Sequence, residues 1–253
     1  MTFAAAILRF ESIDSTNLEA MRQAKAGAPE GLCIVAAEQT AGRGRLDRKW
    51  HSPKGAGLYF SIILRPKVEM TAWPLITLMG ALATTDALVA ACKVKPDIKW
   101  PNDLCVEDRK LCGMLAETAE TVDGPAAILG IGINLLASGL KQFGDQAISI
   151  EAINGRQPDA ERISTALIAA LRDRYVLLQS QAGREHLIRE WCASSSYAFD
   201  RRVAVSTASG QFTGLTRGLD SDGALRVENQ EGKVISVRAG DVTALRPSIT
   251  LQS

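Results

Sequence analysis

The chain has 253 residues and a mass of 27.1 kDa, which suits one large domain or a large domain with a small appendage. A hydrophobic share of 46% and a mean hydropathy of +0.02 describe a soluble globular protein with a sizeable core. Its 29 basic and 28 acidic residues leave a net charge of +1, so no global field draws it to nucleic acid or membrane.

In chain order, Ile7 to Ile13 reads as a short strand, and Asp14-Ser15-Thr16-Asn17 as an N-cap cluster opening a helix to about Ala26. Gly27 to Gly31 makes a turn, and Cys33 to Ala37 a buried strand. Gly57 to Leu64 is a strand by its β-branched and aromatic content. Pro74 to Cys92 is an apolar helix. Ile98 to Val106 carries KWPND and then a strand; Glu107-Asp108-Arg109 is a hairpin turn, and Lys110 to Glu117 the return strand. Ala126 to Leu135 is a further strand, 136–147 a surface loop, and Asp159 to Gln181 and Glu185 to Cys192 are helices.

Beyond Ser194-Ser195-Ser196 the texture changes. Short strands at 203–205, 211–214, 224–227 and 234–237 are separated by glycine turns. This is a β module of about fifty residues, a size that is marginal alone and is expected to dock on the larger body. The division falls at 1–198 and 199–253.

Five cysteines, an odd count with no CxxC spacing, argue against a disulfide framework or a zinc site. Reduced thiols fit better. The N-terminus lacks a basic segment and a full apolar segment, so it does not read as a signal peptide. No apolar run reaches the ~20 residues of a spanning helix. A cytoplasmic location and no membrane partner are expected.

Four segments carry the chemistry. In EQTAGRGRLDRKW, Glu38 to Trp50, Gly42 and Gly44 alternate with Arg43 and Arg45, followed by Arg48 and Lys49. Glycines let backbone N–H groups form an anion nest, and guanidinium forks suit phosphate or carboxylate. Taken alone, a solvated basic turn is the better reading of it. In Lys99-Trp100-Pro101-Asn102-Asp103, proline stiffens a segment presenting an amide and a carboxylate. Asp103 suits Mg²⁺, which takes one or two carboxylates plus substrate phosphates; a plain capped turn fits that segment as well.

Arg109 to Glu117, RKLCGMLAE, sets Lys110 at the head of a buried strand, where a negative ligand offsets desolvation. Simple alternation puts Lys110 and Cys112 on one face, Leu111 and Gly113 on the other. A solvent-facing hairpin lysine is the competing reading. Last, Gly130-Ile131-Gly132-Ile133-Asn134 sets glycines inside an apolar strand, a sign of close approach.

In this order, STN, EQTAGRGR, RKW, KWPND, RKLCGMLAE and GIGIN resemble the biotin protein ligase family, also called holocarboxylase synthetase, over nearly the whole chain. The resemblance implies a class II synthetase-like α/β catalytic domain with a mixed sheet and a small C-terminal SH3-like β-barrel. It implies activation of biotin by Mg²⁺-ATP to biotinyl-adenylate and pyrophosphate, then transfer to a lysine of a biotin carboxyl carrier domain. Lys110, Arg43 and Arg45 are the implied catalytic residues. Ser15, Thr16, Asn17, Gln39, Gly42, Arg43, Lys110, Gly113 and Gly130 are the implied biotin site. The adenylate falls to Arg43, Arg45, Arg48, Trp50, Asn102, Asp103, Lys110 and Asn134, with Mg²⁺ on Asp103.

The sequence departs from the family pattern at Asp47, where the motif usually has a third glycine. Aspartate tolerates the left-handed region, but its carboxylate is expected to pair with Arg45 or Arg48 and weaken phosphate capture. Only fourteen residues precede Ser15, too few for the helix-turn-helix of the repressor members, so DNA binding is not expected. A monomer and a homodimer both fit. The alternatives are a lipoate-type protein ligase, disfavoured by KWPND with GRGR, and a non-catalytic biotin or nucleotide sensor, which has no need of Lys110.

Overall fold

The computed structural model describes residues 6–208 and 210–245; the first five residues of the N-terminus read above, and the stretch 246–253 of the second module, lie outside them. The larger unit is built on a seven-stranded sheet in the order β1 (Ile7–Phe10), β2 (Cys33–Ala36), β3 (Gly57–Leu64), β7 (Ala126–Asn134), β6 (Arg109–Ala119), β5 (Asp103–Val106), β4 (Asp97–Lys99). Only β1 and β2 run parallel; every other pair is antiparallel, so the sheet is mixed.

The two faces of this sheet have different work. Phe60, Leu129, Ile131, Ile133, Cys112 and Met114 turn into one large core under α2 (Leu75–Cys92) and α4 (Ala160–Leu178). On the other face α1 (Thr16–Lys25) covers only half, packing Ala20 and Ala24 on Ile34, Ile63 and Ile128. The uncovered half is where the site lies. Helix α2 is long and apolar enough to cross a membrane, yet 72% of it is buried inside the protein. A helix apolar on all sides is what a position between a sheet and a second helix demands.

Local chemistry explains most boundaries. Asp159 and Ser180 cap α4 and α5 (Gln181–Ser194) by accepting from Arg162 N and Gly183 N. Glu107 and Asp108 form the β5–β6 turn with φ of 54° and 61°, the left-handed pair that matches strand twist in a two-residue hairpin. Two expectations are corrected. The 136–147 loop is largely 3₁₀ helix from Ala137 to Gln146, broken at Gly144. The short helix α3 (Ile150–Asn154), capped by Ser149, was not foreseen.

The C-terminal module is a five-stranded antiparallel sheet in the order β11 (Val234–Val237), β10 (Leu225–Asn229), β9 (Gly210–Leu219), β8 (Phe199–Thr207), β12 (Asp241–Ala244). Strand β12 escaped the sequence reading. The meander is consistent with an SH3-like unit, and among the described residues no pairing joins β11 to β12 to close the barrel. Its Val203, Val205, Leu225 and Val227 belong to the same apolar cluster as the main core. Trp100 Nε1 donates to Gly223 O at 3.1 Å across the junction. This is the docking that the marginal size of the module calls for.

Candidate active site

A cavity of about 140 Å³ opens on the uncovered face of the large sheet. Its floor is set by register. Gly113 of β6 pairs with Gly132 of β7, and Leu115 with Gly130; on the far side Tyr59 and Ser61 of β3 meet Gly132 and Gly130. Three glycines therefore share one face and leave a trench. A Cβ on Gly132 would meet Trp50 Cε2 and Nε1 at 2.5 Å, and one on Gly113 would meet Trp50 Cζ3 at 2.8 Å. The indole fills the space that the missing side chains leave.

One end of the trench is lined by hydroxyls and amides and dense in hydrogen bonds. Thr16 N and Oγ1 both donate to Gln39 Oε1, at 2.8 and 3.0 Å, and Gln39 Nε2 donates to Ser52 Oγ at 2.8 Å. Ser61 Oγ lies within hydrogen-bond range of both Thr16 Oγ1 (2.8 Å) and Asn17 Oδ1 (2.6 Å). Asn17 Nδ2 donates to Glu117 Oε2 at 2.8 Å, and Glu117 Oε1 lies 3.0 Å from Arg43 Nη2. Ser15 is 1% exposed and lines the cavity as the N-cap of α1, without making a side-chain cap bond.

The opposite end is cationic. A bulge between β5 and β6 pairs Lys110 with Cys105 and Cys112 with Leu104, leaving Leu111 as the extra residue. This corrects the simple alternation: Leu111 and Cys112 both enter the core, while Lys110 and Gly113 both face the cavity. Lys110 Nζ lies 2.7 Å from Asp103 Oδ1 and 5.2 Å from the Trp50 ring centroid. Arg45 donates to Asn102 Oδ1 (3.3 Å) and to Gly240 O (3.2 Å), and Arg48 pairs with Asp241. Burial pulls the Arg45 pKa below its ordinary value, opposed by Asp241 and Asp103.

The loop itself is a hairpin. Trp50 N donates to Gly42 O at 2.9 Å and Gly44 N to Arg48 O at 2.7 Å, with Leu46 and Asp47 at φ of 54° and 57° at the tip. Gly42 is needed for this closure, because a Cβ there would lie 2.7 Å from Ser52 Oγ. It lines a second pocket, of about 530 Å³, rather than the trench.

Most of the expected residues thus converge: Ser15, Thr16, Asn17, Gln39, Arg43, Arg45, Arg48, Trp50, Asn102, Asp103, Lys110, Gly113 and Gly130 all line one cavity. Asn134 does not. Its amide donates to Lys110 O at 3.0 Å, so it supports the strand behind the lysine. Asp47 makes no ion pair among the described residues; Arg48 takes Asp241 instead. Ser61, Gly240 and Asp241 were missed, and Glu117, although within a noted segment, had no role assigned. Only a correct register or a contact between distant segments reveals them.

The donor set suits the expected ligands. Asp103 and Asn102 Oδ1 are adjacent hard oxygens, enough for a Mg²⁺ whose remaining ligands are phosphates and water. Trp50 Nε1 is buried with no protein acceptor, a donor left over for a ligand.

A mixed sheet with a glycine trench, an amide-and-hydroxyl end and a cationic end suits a ligase that activates a carboxylate. The sequence matches the Biotin/lipoate A/B protein ligase family over residues 9–134 and the Biotin protein ligase C terminal domain over 198–243. The chain is 32% identical over 238 residues to the biotin–[acetyl-CoA-carboxylase] ligase of Mycobacterium tuberculosis, covering 92% of this chain and 86% of that one. It is 31% identical to the enzyme of the same name from Paracoccus denitrificans, covering 88% and 94%. Its fold is similar to the biotin protein ligase of Aquifex aeolicus solved with biotin and ATP, at a TM-score of 0.82 and 26% identity over 96% of this chain and all of that one. This chain belongs to the biotin protein ligase family.

Proposed function

We propose that this chain joins biotin to ATP and then passes the biotinyl group to a lysine of a biotin carboxyl carrier domain. The observation that carries this reading is the polarity of one cavity, lined by hydroxyls and amides at the Ser15-Thr16-Gln39 end and cationic at the Lys110-Arg45-Arg48 end. A ureido ring is neutral and offers both donors and an acceptor, which hydroxyl and amide groups match. Trp50, seated on Gly113 and Gly132, walls the path of the aliphatic tail towards Lys110.

The tail delivers its carboxylate to Lys110. There, one carboxylate oxygen attacks the α-phosphorus of ATP, the bond to the β-phosphate oxygen breaks, and pyrophosphate leaves with the electron pair. Two anions must meet, so fixed positive donors at the new bond are the main source of acceleration. Lys110 touches both partners, exchanging Asp103 for them. Arg45 and Arg48 face the phosphates. Asp103 with Asn102 would hold Mg²⁺, which would supply charge neutralisation at the phosphates. In the second step the carrier lysine amine attacks the acyl carbon, AMP leaves, and the proton of the new amide nitrogen is lost. The nucleophile is the partner's, so none is required here. Closure of the Gly42–Trp50 hairpin keeps water from the mixed anhydride.

The test is transfer of labelled biotin, with Mg²⁺-ATP, to a carrier domain. Wild type is expected to label it, and Lys110→Ala to fall by roughly 10²-fold or more, the typical loss when one charge-stabilising donor is removed. Wild type that binds biotin without transferring it overturns the ligase reading. Full activity in Lys110→Ala overturns the role of that lysine.

A further inference from the structure

The proposed reaction uses neither Glu117 nor Ser61, yet both bond to residues that line the amide-and-hydroxyl end of its cavity. Glu117 is mostly buried, with 18% side-chain exposure, and each of its oxygens has its own partner: Asn17 Nδ2 at 2.8 Å and Arg43 Nη2 at 3.0 Å. From Lys110, Glu117 is seven residues along β6, roughly 20 Å at strand rise. While engaged with Glu117, the Arg43 guanidinium is held at the head end of the trench.

The same contacts form a closed circuit. It leaves the hairpin at Arg43 and passes through Glu117, Asn17, Ser61 and Thr16, whose backbone N–H donates to Gln39. From Gln39 it continues to Ser52, whose hydroxyl donates to Trp50 O at 3.1 Å, back on the hairpin. Both strands of the hairpin are therefore tied to the groups that line the head-group end. The Arg43–Glu117 contact is the ion pair of the circuit, with the carboxylate more buried than the guanidinium.

We infer that Glu117 is a positioning residue: it anchors Arg43, and through Asn17 it couples the head-group end of the trench to the closed hairpin. Arg43 then acts mainly as the latch of the loop, and the phosphate end is left to Arg45, Arg48 and Lys110. The inference rests on the proposed reaction for its substrates, but the latch itself exists without them.

Two readouts test it. Limited trypsin digestion of the ligand-free protein reports cleavage after Arg43, Arg45, Arg48 and Lys49. Glu117→Gln, of equal size but facing Arg43 with an uncharged amide, is expected to be nicked in this segment about tenfold faster, at an unchanged rate elsewhere. Glu117→Asp, which keeps the charge, is expected to recover part of the protection. In the transfer assay, Glu117→Gln is expected to raise KM for biotin about tenfold, with KM for ATP within twofold. Arg43→Ala is expected to match it, and the double variant to be no worse than either single one. Unchanged nicking in Glu117→Gln overturns the inference. So does equal acceleration at all tryptic sites, which marks a general loss of stability, or additivity of the two variants in KM. An inactive wild type overturns the proposed reaction and leaves the digestion to decide the latch.

Discussion

Gly130→Ala tests whether the trench is built by register. The new Cβ would stand 2.9 Å from Asn17 Cγ and 3.1 Å from Nδ2, with Oδ1 closer still, inside the 3.4 Å at which ordinary contact begins. Asn17 cannot turn away cheaply. It is 4% exposed and held by Ser61 at 2.6 Å, Glu117 at 2.8 Å and Leu115 O at 3.3 Å. Moving it breaks at least one of these bonds and leaves a buried polar group unpaired, at about 1–3 kcal/mol. Overpacking adds about 1–3 kcal/mol. The expected loss is about 2–6 kcal/mol, or roughly 4–12 °C in Tm at the ~2 °C per kcal/mol of a chain of this size.

The assay is urea unfolding followed by tryptophan fluorescence, with biotin binding measured on the folded protein. Asn17→Ala supplies the control, since it removes the side chain that the methyl strikes. The double variant is expected to be about as stable as Asn17→Ala alone. The reasoning fails if Gly130→Ala unfolds within about 0.5 kcal/mol of wild type, the range of neutral surface changes, or if the two changes add.

At the hairpin tip, Asp47→Gly is expected to ease a left-handed position that costs a non-glycine residue roughly 1 kcal/mol and to remove a negative charge beside the phosphate end, lowering KM for ATP. Kinetics with no change in kcat or KM would refute this. For the thiols, burial raises the pKa of Cys33 and Cys105 to about 12, and it raises that of the fully buried Cys112 as well. These three are protonated and shielded at pH 7–9, so a thiolate-specific reagent is expected to reach only Cys92 and Cys192 in the native protein, faster as pH rises. All five should react in denaturant. Rapid native labelling of Cys33 would contradict the packing of β2.

The local signals were legible because they are properties of short segments. Strand β3 is β-branched and aromatic over eight residues, α2 is apolar throughout, and glycine turns separate the late strands. The residue types the chemistry needs were also legible: guanidinium forks between glycines, an amide beside a carboxylate, a lysine heading a buried strand. What escaped was weakly patterned, such as β12 with four residues and α3 with five.

Which of those residues face the ligand was a matter of tertiary structure. The bulge at Leu111 reverses the alternation and brings Lys110 and Gly113 to one side. Asn134 turns to a backbone carbonyl that sequence cannot see. Arg48 finds Asp241 at a separation of 193 residues, and Asn17 finds Glu117 at 100. The sequence by itself determined the inventory of charges, hydroxyls and glycines, because side-chain chemistry belongs to each residue alone. The fold decided their pairing, because a buried charge or amide takes whichever partner the packing of distant strands sets within about 3 Å.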